Sequence, residues 1–149
     1  MIITFVCSQN KCRSPLCEAM AKKYLEIFEI KNTIILSHGI YYNLNENEKP
    51  CESSIEIAKE YNLDISNHKS KKLTTNEISM IDYIFVMDKS NYNDVCMEAN
   101  EEDIKKVHYL DMNNENISDP WQGEKEIFEN LILELEKNIE LQFELIFKN

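Results

Sequence analysis

Short runs rich in β-branched and aromatic side chains alternate along this chain with stretches of helical periodicity, and no other feature constrains the fold as strongly. Residues 2–6, 33–36, 83–87 and 107–110 read as buried strands. A first helix opens at Ser14-Pro15, with Pro15 at the first helical position, and carries Leu16, Ala19, Met20, Tyr24, Ile27 and Phe28 at helical spacing. A second spans about 51–61 with Ile55 and Ala58 inward, and a third about 90–99. A last one covers about 125–147, where Phe128, Leu131, Ile132, Leu135, Ile139, Phe143 and Ile146 form a core-packing stripe. Strands alternating with helices require right-handed crossovers and a parallel sheet covered on both faces. The expected fold is therefore α/β, a three-layer sandwich with a central four-stranded parallel sheet. No linker, repeat or low-complexity tract divides the 149 residues, so 1–149 reads as one domain.

Charge narrows the function. With 27 Asp and Glu against 16 Lys and Arg, the net charge is -11, which repels phosphate backbones and argues against nucleic-acid partners. No apolar run approaches the roughly 20 residues of a membrane span, and the start MIITFVCSQNK lacks the basic region of a signal peptide. Five cysteines without an export signal read as reduced thiols, and a cytoplasmic location is expected. Among the 16 cations only Arg13 is an arginine. Its planar fork grips a carboxylate or phosphate with two parallel hydrogen bonds, which lysine cannot do.

In parallel sheets of this kind ligands bind at the carboxyl ends of the strands, which directs attention to the loop after the first strand. That loop reads Cys7-Ser8-Gln9-Asn10-Lys11-Cys12-Arg13-Ser14 and ends at a helix N-terminus, where free N–H groups and the helix dipole favour an anion. A cysteine in such a field is held as thiolate, the nucleophilic form. Arg13, six residues on, can return across the loop to hold two oxygens of a bound tetrahedral oxyanion. Phosphoryl transfer needs little more than this positioning and charge stabilisation.

A phosphate-monoester hydrolase also needs a proton donor for the leaving oxygen and a base for water. Ser118-Asp119-Pro120-Trp121 supplies a candidate. Proline keeps Asp119 out of helical geometry, and Trp121 offers an apolar wall on which an aromatic substrate can stack.

With these residues in view, the chain resembles the low-molecular-weight protein tyrosine phosphatases. The resemblance rests on Cys7-x5-Arg13-Ser14-Pro15 and Asp119-Pro120, and extends to Ser37-His38-Gly39, to the segment from His68-Lys69 through Leu73-Thr74, and to Met87-Asp88-Lys89-Ser90-Asn91. It implies a phosphotyrosine phosphatase I-like fold and a two-step reaction with no metal and no cofactor. Cys7 would attack phosphorus, Arg13 and the amides of residues 8–14 would bind the phosphoryl oxygens, and Asp119 would serve as acid, then base. Asn10, Ser14, Ser37 and His68 match the family's loop-supporting residues, and Cys12 matches a second loop cysteine that pairs reversibly with the nucleophile. The implied substrate is a phosphotyrosine-containing protein or small aryl phosphate, with phosphate, sulfate or vanadate as site ligands and the chain acting as a monomer.

Three positions depart from the family pattern. Gln9 stands where the family has glycine, so any left-handed backbone there falls on a residue with a Cβ. Leu44 takes the place of a substrate-flanking tryptophan, with Tyr41 and Tyr42 nearby, and Trp121-Gln122 replaces two tyrosines. Tyr42, Leu44 and Trp121 are the expected substrate rim. The remaining cysteines, Cys17, Cys51 and Cys96, read as core or surface thiols, His108 as structural and His38 as a loop residue; the acidic run at 98–103 reads as a solvated face. A thiol-dependent arsenate reductase on the same fold is the alternative reading, but it would need two further cysteines close together on one segment, and Cys51 and Cys96 are far apart in sequence. A sugar-transport phosphocarrier would have no use for the loop arginine or the late Asp-Pro, and a phosphate-binding module would turn nothing over.

Overall fold

The computed structural model describes residues 1–148. Four strands, β1 (Ile2–Cys7), β2 (Ile34–Gly39), β3 (Tyr83–Val86) and β4 (Val107–Tyr109), form one parallel sheet in the order β2-β1-β3-β4. Helices α1 (Arg13–Ile27), α2 (Glu52–Glu60) and α5 (Lys125–Phe147) pack on one face, and α3 (Thr75–Met80) and α4 (Lys89–Glu98) on the other. β1 is buried on both sides and alternates between them. Ile3 and Phe5 join the core under α1 and α5, while Val6 joins Ile78, Ile84, Val86 and Val95 on the α3–α4 face. Among the described residues no helix is long and apolar enough to cross a membrane.

The strand order positions the site. From β1 the chain steps one way to β2, then back past β1 to β3. The loop after β1 leads into α1 on one face and the loop after β3 leads into α4 on the other. The two loops diverge and leave a crevice between the ends of β1 and β3, where such sheets bind ligands.

Several elements differ from the sequence expectation for local reasons. α1 starts at Arg13, so Pro15 is its third residue; its missing N–H still falls among the first-turn groups that have no intrahelical partner. β2 runs on to Gly39, which places His38 inside the sheet and not in a loop. His38 is held there by polar partners: Thr4 Oγ1 donates to Nδ1 (2.7 Å) and Nε2 donates to Glu77 Oε2 (2.9 Å). Burial pushes its pKa below the usual histidine value, in keeping with this neutral tautomer. α3, which no apolar stripe announces, is capped by Thr74, whose hydroxyl accepts from the Glu77 N–H. A 3₁₀ segment, Glu101–Lys106, occupies much of the acidic run, and its Asp103 is buried against Lys106 Nζ at 2.9 Å instead of being solvated.

α5 closes the core. Phe143 meets Tyr24 edge-on with centroids 5.2 Å apart and also contacts Phe5, and Gln142 Nε2 donates to the carbonyls of Tyr109 and Leu110 at the end of β4. Replacing Phe143 by alanine leaves a cavity between α1, α5 and β1, with an expected cost of about 3–5 kcal/mol. The check is chemical denaturation: the midpoint falls at an unchanged slope, and a loss below about 1 kcal/mol would show that α5 is not integral to the core.

Candidate active site

The loop between β1 and α1 bends around a cleft of about 490 Å³ lined by Cys7, Ser8, Gln9, Lys11, Cys12, Arg13, Tyr41, Ser90, Asp119 and Trp121. Among the described residues, none accepts a hydrogen bond from the backbone N–H of Ser8, Gln9, Asn10, Lys11 or Cys12. Five successive amides left without protein partners around one cavity make an anion cradle of the kind expected at a helix N-terminus.

The loop keeps this shape through Asn10. Its backbone has φ 58°, the left-handed region, and its side chain is fully buried. Nδ2 donates to Ser14 Oγ (2.7 Å) and to Ser37 Oγ (3.1 Å), and Oδ1 accepts from the Lys71 N–H (2.9 Å). His68 Nε2 donates to the Asn10 carbonyl at 3.1 Å; burial lowers its pKa and leaves the ring neutral for that role. Ser37 in turn donates to Glu18 Oε1 at 2.6 Å. The expected loop-supporting group of Asn10, Ser14, Ser37 and His68 is thus brought together, with Glu18 as an additional member. Glu18 lies one helical turn after Ser14, a spacing that points both side chains to the same side of α1. Gln9 carries no positive φ: the left-handed residue is its neighbour, so the missing glycine creates no strain at position 9.

Cys7 ends β1 with its Sγ 3.0 Å from Ser14 Oγ. Ser14 Oγ also receives the Asn10 amide and lies 3.4 Å from the His38 carbonyl, to which it donates, so the Cys7 sulfur sits at the edge of a buried polar network. Arg13 is buried, and its Nη1 donates to Asp88 Oδ2 (2.9 Å) and to the Ile117 carbonyl (2.7 Å). Burial by itself would lower the guanidinium pKa, but the Cys7 sulfur and the Asp88 and Asp119 carboxylates outweigh it and raise it. Asp88 also caps α4 by accepting from the Asn91 N–H, and Asn91 Nδ2 donates to Ser8 Oγ at 3.0 Å. Sequence reasoning gave Asp88 no role. An acidic N-cap directly after the third strand, across the crevice from a lone arginine, is the signal that could have supplied it.

Asp119 stands at the open side of the cleft, half exposed, with Oδ2 4.0 Å from Arg13 Nη2 and Oδ1 accepting from the Trp121 N–H. The rim differs in part from expectation. Trp121 lines the cleft, but the tyrosine that does so is Tyr41; Tyr42 is 80% exposed and packs on Tyr41 with ring centroids 4.7 Å apart. Leu44 is not in the lining. Its Cδ1 fills the space beside Gly39, where a Cβ would also meet the Ser8 carbonyl at 2.9 Å, so Gly39 is the close-approach residue that lets β2 pass behind the loop. Cys12 Sγ lies 2.6 Å from Cys51 Sγ, and Cys51 is the N-cap residue of α2 and not an isolated thiol. Among the described residues no group of three or more His, Cys, Asp or Glu side chains could hold a metal ion.

Comparison with known proteins gives the chain a family. A Saccharomyces cerevisiae low molecular weight phosphotyrosine protein phosphatase is 34% identical over 136 residues, covering 85% of this chain and 83% of its own. An arsenate reductase of Bacillus cereus is 30% identical over 108 residues, 72% of each chain. Among solved structures, Vibrio vulnificus Wzb in complex with benzylphosphonate superposes with a TM-score of 0.84 at 28% identity over 95% of both chains. The family model for low molecular weight phosphotyrosine protein phosphatases matches residues 2–149, and the chain belongs to that family.

Proposed function

We propose that the protein hydrolyses phosphotyrosine and other aryl phosphate monoesters by transferring the phosphoryl group to Cys7 and then to water. The observation that carries this reading is the convergence of Cys7, Arg13 and Asp119 on one cleft walled by Tyr41 and Trp121. The free amides of residues 8–12 and the Arg13 fork take the three non-bridging oxygens, and the aromatic walls suit a phenyl leaving group. Cys7 Sγ attacks phosphorus from the floor. As the P–O bond breaks, its electron pair goes to the phenolate oxygen, which takes a proton from Asp119 and departs as the phenol. Asp119, now ionised, accepts a proton from water as the oxygen attacks phosphorus; the P–S bond breaks, the thiolate is restored and phosphate leaves. Phosphate, sulfate and vanadate are the expected competing oxyanions. Five free thiols suit a reducing cytoplasm, where the chain would act as a monomer on a phosphorylated protein or small ester. The arsenate reductase relative supports one alternative on the same loop, and thioredoxin-coupled arsenate consumption outpacing aryl-phosphate hydrolysis would reverse the order.

The roles separate experimentally. Cys7→Ser abolishes turnover of p-nitrophenyl phosphate while the protein still binds inorganic phosphate by calorimetry. Asp119→Asn slows hydrolysis by roughly 10²–10⁴-fold, most for poorly leaving phenols. An equal loss for good and poor leaving groups would place the acid elsewhere.

Asn10 gives a second test, because its backbone and its side chain contribute separately. Asn10→Gly keeps access to positive φ but loses the bonds to Ser14, Ser37 and Lys71; Asn10→Ala loses both. Both variants are expected to lose most of their kcat/KM, with alanine less stable than glycine by about 1 kcal/mol. Equal stabilities would mean that the left-handed backbone carries no cost here.

A further inference from the structure

The Cys12–Cys51 contact lies beside the phosphate loop but has no part in the chemistry above. Two loops bring it about. The Cys51 N–H donates to the Lys11 carbonyl (3.0 Å), and the Ser54 hydroxyl donates to the Cys12 carbonyl (3.2 Å), so the N-terminus of α2 is tied to the outer edge of the loop. The two sulfurs are left 2.6 Å apart, inside their ordinary contact distance, with Cys12 buried and Cys51 partly open to solvent.

We propose that Cys12 and Cys51 form a redox pair that takes hydroperoxides as oxidants and closes to a disulfide between the phosphate loop and α2. The two thiols have different parts. The Cys12–Cys51 contact pushes the pKa of Cys51 below that of a free cysteine and raises that of Cys12, and Cys51 Sγ also lies 3.1 Å from Ser54 Oγ. Cys51 is therefore the more readily ionised of the two, and it is also the one that solvent reaches. Its sulfur attacks the peroxide oxygen, the O–O bond breaks, and Cys51 sulfenic acid and hydroxide form. Cys12 then attacks the Cys51 sulfur and gives up its proton; the S–S bond forms, the S–O bond breaks, and the hydroxide leaves as water. Overall two thiols lose two electrons and two protons, and hydrogen peroxide becomes two waters, or an organic hydroperoxide an alcohol and one water.

The pairing differs from the one implied by family resemblance, in which Cys12 would serve Cys7. With Cys51 already against it, Cys12 closes a bond that leaves the Cys7 sulfur and its Ser14 partner untouched.

Peptide mapping after hydrogen peroxide treatment of the full chain tests this directly, and it does not depend on turnover. Inorganic phosphate is included to occupy the cleft. The expected product is a Cys12–Cys51 linked peptide, with loss of alkylation at both residues, retained alkylation at Cys7 and full reversal by dithiothreitol. In Cys51→Ser the linked peptide is absent, while untreated activity on p-nitrophenyl phosphate stays within about twofold of wild type. A Cys7–Cys12 peptide as the main wild-type product would overturn the pairing. So would sulfinic acid at Cys51 with Cys12 still free, which would show that the second step does not occur.

Discussion

Asn10 is the residue on which the shape of the loop depends, because its left-handed backbone and its bonds to Ser14, Ser37, Lys71 and His68 fix the bend between β1 and α1. That conformation costs an ordinary residue about 1–2 kcal/mol. Asparagine tolerates it best among residues with a side chain, and here its amide is also satisfied three times over, by Ser14, Ser37 and Lys71. Glycine would supply the turn without these bonds. The same economy recurs elsewhere: the chain holds two glycines, and Asn32, Asn47 and Asn62 also sit at positive φ. Among the described residues four of the six left-handed positions fall on asparagine, the others being Glu29 and Gln122, and at Asn10 the side chain adds a support that glycine could not give.

The loop carries two cations, and the electrostatics follow from how they are held: Lys11 Nζ pairs with Glu48 Oε2 at 2.9 Å. Arg13 is buried, and a buried charge without a partner would cost several kcal/mol. Asp88 and the Ile117 carbonyl occupy Nη1, while Nη2 faces Asp119 across 4.0 Å. With Asp88 against it and the Cys7 sulfur nearby, the guanidinium cannot by itself make the cleft positive within a chain of net charge -11. With Lys11 paired to Glu48 and Arg13 to Asp88, the attraction for a dianion rests largely on the backbone dipoles of residues 8–12. This favours a small tetrahedral anion that reaches several amides at once over an extended polyanion.

Much of this was legible in the sequence because strand alternation and a helix start signal are local. The four strands, the last helix and the Cys7–Arg13 loop follow from residue type and spacing alone. The parts that stayed hidden depend on contacts between distant segments. Asp88 meets Arg13 only because the strand order sets β3 beside β1. Cys51 meets Cys12 only because α2 packs its N-terminus against the loop, so a search for closely spaced cysteines passes over it. Leu44 leaves the expected rim because it fills the gap beside Gly39, and Tyr41 is the neighbour that faces the cleft. The short α3 shows little helical stripe because a single side chain, Ile78, is buried along its length.

The site divides physically into two halves. Cys7 and Arg13 are set on the end of β1 and the first residue of α1, both deep in the molecule, so the position of the phosphorus relative to nucleophile and guanidinium is fixed by the central sheet. Asp119 and Trp121 lie on connecting segments with 52% and 59% exposure respectively, the first for its side chain. Substitutions in those segments cost little core energy, whereas any change at Asn10, Ser14 or Arg13 disturbs buried polar groups that have no alternative partners. The phosphoryl half is thus constrained by folding itself, and the leaving-group half only by its substrate. A fold built this way can change what it cleaves from without changing how it cleaves.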